Sequence, residues 1–179
     1  MKIRLLTFRW AWTTLAAIAA FAVLAWLDLR LKAHTGYGTV DLQKVTTAQG
    51  VNAIASRWVT RDHAATAGFS LGFDYLFMPL YGFAFYYSGL IVRDWIGTKP
   101  GLVRRVLTLV AAVPLAGAIA DAVENALEAK MLIAGADDGT AQIAFLATNA
   151  KLICFFVGLA LLVLALLSFL AKRRKPAGA

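Results

Sequence analysis

Nucleophilic, redox and metal chemistry have little to work with in this sequence. It holds one cysteine, Cys154, and two histidines, His34 and His63. A lone thiol forms no disulfide within its own chain. Both histidines fall outside the long apolar runs, so no pair stands inside a span to hold a haem. There is no H-E-x-x-H, no C-x-x-C, no nucleophile elbow and no phosphate-binding glycine loop. Asp121 and Glu124 lack a histidine to complete a metal set, so the expectation is no metal and no cofactor. Nothing here decides for or against an enzyme. Acidic residues are few: ten Asp and Glu face eighteen Lys and Arg. In a soluble protein that surplus points to nucleic acid. Membrane topology accounts for it better, and no nucleic-acid partner is expected.

What the chain has in excess is apolar sequence, 60% of its 179 residues, where soluble domains hold about 45–50%. The excess is gathered into four blocks near residues 10–29, 69–92, 106–133 and 143–171. Each reaches the ~20 residues needed to cross a bilayer. The pattern predicts an all-α polytopic membrane protein, a four-helix transmembrane bundle forming one membrane domain over residues 1–179, with a partly helical outer loop at 30–68. The first block is longer than a signal-peptide core and runs on into "WLDLRLK", so it reads as a retained anchor. Lys2, Arg4 and Arg9 precede span 1. Arg93, Lys99, Arg104 and Arg105 separate spans 2 and 3, and Lys172, Arg173, Arg174 and Lys175 follow span 4. The positive-inside rule puts these on the cytoplasmic side, with both termini inside, in a cell inner membrane. In the outer loop, "HTGYGT" reads as a turn. Val51, Ile54, Ala55, Trp58 and Val59 then follow at helical spacing. They mark either an amphipathic helix lying on the outer surface or a simple helical connector.

Against this apolar background "GAIADAVENALEAKMLIAG", residues 117–135, stands out. At about 100° per residue, Glu124, Glu128 and Asn125 lie near −60°, −20° and +40° from Asp121, on one face, with Pro114 and Gly117 extending the stripe. Lys130 projects opposite and reads as a snorkelling lysine. Asp121 stands about 24 Å above Arg105 by helical rise, in the outer third of the core. Asp28, Asp74 and Lys151 fall near the same level. A charge at the bilayer centre costs roughly 2.5–3.5 kcal/mol, so these groups are expected to face inward. Lys151 is the expected partner for the acids. One lysine cannot neutralise them all, which leaves at least one carboxyl neutral or hydrated. In span 2, Ser70, Asp74, Met78, Tyr81, Phe85 and Ser88 share a face, and Pro79 opens the helix near Tyr75. That face is either ordinary packing, with Gly82 and Gly89 as contact residues, or an aromatic-walled cavity below a polar mouth.

"ADAVENALEAKML", "GFDYLFMPLYGF" and "GYGTVDLQ" together resemble a group of uncharacterised bacterial four-span membrane proteins. The resemblance implies the same topology, with Asp41, Gln43, Asp74, Pro79, Asp121, Glu124 and Asn125 as its markers. A fainter likeness, an acid shortly before a proline in span 2, is to the EXPERA proteins, four-helix membrane proteins that bind sterol-like ligands. The spans lack the histidine that isomerase chemistry of that group uses. The expected function is an outward-facing pocket for a lipid-like or amphiphilic molecule, bound by Asp74, Asp121, Glu124, Asn125, Lys151 and Tyr81. The alternative is a small subunit or assembly factor of a larger membrane complex, in which the same residues tie helices together. Expected partners are membrane lipids, a lipid-like ligand, and a second copy of the chain or another membrane protein.

Overall fold

In hydrocarbon there is no water to satisfy backbone N–H and C=O groups, so an apolar run must close its own hydrogen bonds as a helix. The computed structural model describes residues 2–97 and 100–173. Of the basic residues named above, Lys99, Arg174 and Lys175 lie outside these. For Lys2, Lys172 and Arg173 only the backbone is described. Six helices follow in order: α1 (Lys2–Thr35), α2 (Thr39–Leu42), α3 (Ala48–Thr60), α4 (Ala64–Ile96), α5 (Leu102–Ala134) and α6 (Asp138–Arg173). No strand occurs among the described residues. Helices α1, α4, α5 and α6 are long and apolar enough to cross a membrane, so the chain is an all-helical four-span bundle.

The four long helices have 33 to 36 residues, about 50 Å at the usual rise, well past a ~30 Å hydrocarbon core. They therefore run beyond the apolar blocks at both ends. Hydropathy marks contact with lipid, whereas a helix stops where its backbone is broken. Gly36, Gly97 and Gly135 follow the ends of α1, α4 and α5 at φ of 88°, 68° and 96°, a region where a side chain is strained. Asp137 precedes α6 and accepts hydrogen bonds from Thr140 N (2.8 Å) and Thr140 Oγ1 (2.6 Å). Those bonds hold its carboxyl below the usual aspartate range and satisfy first-turn donors of α6.

Helix α4 is the hub and packs on α1, α5 and α6, while α5 packs on α4 and α6. Helix α1 packs mainly on α4; it meets α6 through side chains such as Trp10 and Phe169. Between lipid-bathed helices, close approach supplies the attraction. A Cβ on Gly89 would overlap Ala111, and one on Gly158 would overlap the Phe85 ring.

Helix α3 turns its apolar face to the bundle. Val51, Ile54 and Trp58 are buried with Leu31, Leu42, Ala67, Met131, Ala141 and Ala144, across the ends of α1, α4, α5 and α6. Val59 is 67% exposed and does not belong to that face. Burying each large side chain contributes about 1.5–3 kcal/mol. Trp58 Nε1 also donates to Tyr37 O (2.9 Å), and Ala48 N donates to Asp138 Oδ1 (2.6 Å). The loop is thus a packed cap on one end of the bundle.

Candidate functional site

The site begins with a missing side chain. Gly117 of α5 faces Cys154 of α6, and a Cβ there would overlap that of Cys154. The bare glycine lets α6 approach. One turn further along α5 stands Asp121, and one turn back along α6 stands Lys151, so the close contact sets the lysine over the acid stripe. Lys151 Nζ lies 2.9 Å from Asp121 Oδ1 and 2.8 Å from Glu124 Oε2. Tyr81 of α4 donates its hydroxyl to Asp121 Oδ2 at 3.1 Å. Asn125 donates to Asp74 Oδ2 (2.9 Å) and to Leu71 O (3.2 Å). Both partners of its Nδ2 are acceptors, which fixes which end of the amide is which.

All six residues expected at the site are therefore brought together, and Asp121, Glu124, Asn125 and Lys151 are buried. Asn125 bonds α4, while the lysine is held by two carboxylates. One detail differs from the sequence reading. Glu124 and Asn125 do not border the cavity described below: they sit behind it and tie helices together. Glu128, fully buried one turn further on, also belongs to this layer. Glu124 Oε1, Asn125 Oδ1 and both Glu128 oxygens have no hydrogen-bond donor among the described residues. Lys130 points away and reaches Thr140 Oγ1 at 3.3 Å.

In front of this layer is a cavity of about 460 Å³, within the range of small-molecule sites. Asp28, Asp74, Asp121, Tyr81 and Lys151 line its polar part. Phe21, Leu24, Phe77, Leu152 and Phe155 form its apolar walls. Tyr81 packs against Phe77 and Phe155, with ring centroids 4.9 and 5.5 Å apart. Helix α2 roofs the cavity with Thr39 and Val40, joined by Gln43 just past its end. Asp28 Oδ1 holds that roof through Thr39 Oγ1 and Val40 N, both at 3.0 Å. Asp28 was visible in the sequence as an acid at the right depth. Its role as the anchor of α2 was not, since a four-residue helix carries no periodicity. Asp41, another of the marker residues, braces the same turn. It accepts from Gly38 N (3.0 Å) and pairs with Lys32 (2.9 Å). Partial burial works to raise the Asp41 carboxyl, but the Gly38 N–H and the Lys32 ammonium outweigh it and leave it below the usual range.

Chemically this is an ion-paired, acceptor-rich layer bordering an apolar cavity. It can orient an amphiphile: a polar head at Asp28 and Asp74, beside the paired Asp121, and a chain along the aromatic wall. Among the described residues no group of three or more His, Cys, Asp or Glu is placed to hold a metal ion. Comparison with protein-family models, with curated proteins and with solved structures finds no match to this chain.

Proposed function

We propose that this membrane protein binds an amphiphilic, lipid-like small molecule in the cavity between α1, α4 and α6. The observation that carries the reading is one cavity with two chemistries. Phe21, Phe77, Leu152 and Phe155 stand on its apolar side, and Asp28, Asp74, Asp121 and Lys151 on its polar side. A site built only to pack helices would leave no such volume, because voids in a packed interior are costly. Native mass spectrometry of the gently extracted protein tests it. The wild type retains a small amphiphile, and Asp121→Asn folds but retains much less. A wild type with no bound molecule, or equal retention by the variant, would sink the reading.

A second reading, a small subunit of a larger complex, draws on Glu124 and Asn125. They join helices without touching the cavity. A protein partner that co-purifies in place of a small molecule would favour it. We also propose that both termini lie in the cytoplasm of a cell with an inner membrane. Arg4, Arg9, Arg93, Arg104 and Arg105 stand at the bundle end away from α3, against Arg30, Lys32, Lys44, Arg57, Arg61 and Lys130 at the α3 end, and the turn from α5 into α6 carries Asp137 and Asp138 and no base. A cysteine at Ala136 should react with an impermeant reagent from outside, and one at Ala177 only after permeabilisation. The reverse pattern inverts this orientation.

A further inference from the structure

We propose that the cavity is entered sideways. It opens between α1 and α6 into the leaflet on the α2–α3 side, and it selects a neutral lipid whose head carries hydroxyl donors. This rests on the amphiphile reading above and adds a route and a head chemistry to it.

The route follows from how the helices pack. Helices α1 and α6 both supply walls of the cavity, yet their backbones scarcely approach one another. Far from the cap they are joined by Trp10 and Phe169, whose rings lie 5.2 Å apart, within a cluster with Leu6, Ile91, Val92 and Ala165. Side chains bridge the two helices there and at mid-bundle, where Ala17 and Ala20 share a cluster with Leu162, whereas in the capped half the cavity lies between them. Its rim side chains, Phe21 and Leu29 on α1 and Leu152 on α6, are 56%, 68% and 42% exposed. On a bundle flanked by lipid, that exposure is to hydrocarbon. The end toward water is covered instead. Asp28 pins α2 over it, and a Cβ on Gly38 would run into the Asp28 carboxylate, so roof and anchor fit without space between them. Gln43 O also takes Thr148 Oγ1 of α6 at 3.5 Å. The roof is tied on both sides while the flank is open.

The head chemistry follows from which atoms are free. Asp121 has both oxygens occupied, by Lys151 and Tyr81. Asp28 uses only Oδ1 and Asp74 only Oδ2. Each keeps one carboxylate oxygen without a hydrogen bond among the described residues. The Lys151 ammonium is already shared by two acids. The cavity thus offers acceptors and needs donors. An anionic head would meet three carboxylates and one committed ammonium. A head with any full charge would also have to cross hydrocarbon at the flank, which is costly. A hydroxyl head donates to Asp28 and Asp74 and avoids both costs.

Three pyrene-tagged probes of equal chain length test this with the full-length protein in nanodiscs, read by energy transfer from tryptophan. Their heads are an alcohol, a carboxylate and a trimethylammonium. The alcohol should bind about tenfold or more tighter than either charged probe, the factor expected when a hydrogen-bonded head replaces a mismatched one. Ala25→Trp, which fills the cavity from α1, should abolish binding. Ala22→Trp, on the exposed face of the same helix and outside the lining, should bind as wild type and so controls for folding. Leu29→Ala widens the flank and should speed association several-fold. Binding of no probe overturns the amphiphile reading itself. Equal binding of all three, or preference for a charged head, overturns the head assignment alone. An unchanged association rate in Leu29→Ala overturns the lateral route alone.

Discussion

At the end of the bundle away from the cap, Trp10 of α1 meets Phe169 of α6, and Trp10 Nε1 donates to Ser88 Oγ of α4 at 2.9 Å. At the capped end the same two helices part around a cavity, and charges replace the aromatic seam. The far end also joins α4 to α5 through Arg93 and Thr108 (3.2 Å) and through Asp94 and Arg104 (2.9 Å). These charges stand at the helix ends, where Asp94 pairs with both Arg93 and Arg104 at 2.9 Å. At the capped end Asp74, Asp121, Glu124 and Glu128 gather around one lysine, Lys151, and oxygens of Glu124 and Glu128 lack a hydrogen-bond donor among the described residues. Both ends thus carry ion pairs between helices, but those of the far end stand partly exposed at the helix ends, while those of the capped end are buried inside the bundle. The proposed pocket is one reason to keep charge buried there. Buried ion pairs seldom add net stability over a well-packed apolar replacement.

The largest effect that would sharpen this contrast is loss of Lys151. Lys151→Met leaves Asp121 and Glu124 buried without a counter-charge and should cost about 3–5 kcal/mol, measured as unfolding in mixed micelles. Adding Asp121→Leu and Glu124→Leu should recover most of that loss, because the charges then vanish together. If the single variant is neutral, the two ends do not differ in the way described. Next in size is overpacking of the far end. Gly89→Leu drives a side chain into the Ala111 backbone and should cost about 1–3 kcal/mol, without changing ligand retention at the capped end. A matching fall in retention would show that the ends are coupled. Smaller again is Trp10→Phe, which keeps the ring but removes the bond to Ser88, for about 0.5–1.5 kcal/mol.

The smallest effect is on the cap and depends on pH. The Asp41 and Asp137 carboxyls are both held below their ordinary value of 3.8. A depressed carboxyl contributes its full stability above the unfolded value and loses it as pH falls through the lower folded one. Protection from hydrogen exchange in α2 and at the start of α6, taken relative to the intrinsic rate at each pH, should therefore be unchanged from neutral pH down to about that value. It should fall below it, before the far end of the bundle responds. Simultaneous exchange at both ends would erase the distinction.

The four spans and the shared face of Asp121, Glu124, Asn125 and Glu128 were legible in the sequence. Both are properties of a helix in an apolar solvent: the run must be helical to satisfy its backbone, and the spacing then sets the face. That Lys151 and Asp74 would reach this face followed from depth alone, since helical rise converts sequence position into height. What the sequence left open were distances between helices. It could not show that Gly117 admits Cys154 and so seats Lys151 between two acids. Nor could it show that Asn125 turns to α4, or that Glu124 lies behind the cavity and not in it. The α1–α6 gap is a tertiary fact of the same kind. Nothing in either helix alone says that α1 packs mainly on α4 and parts from α6 at the cavity, because each is apolar on nearly every side. Helix α3 shows the limit from the other direction. Its spacing identified Val51, Ile54 and Trp58 as one face, but only the four helix ends beneath it decided that this face caps the bundle and that Val59 stays outside.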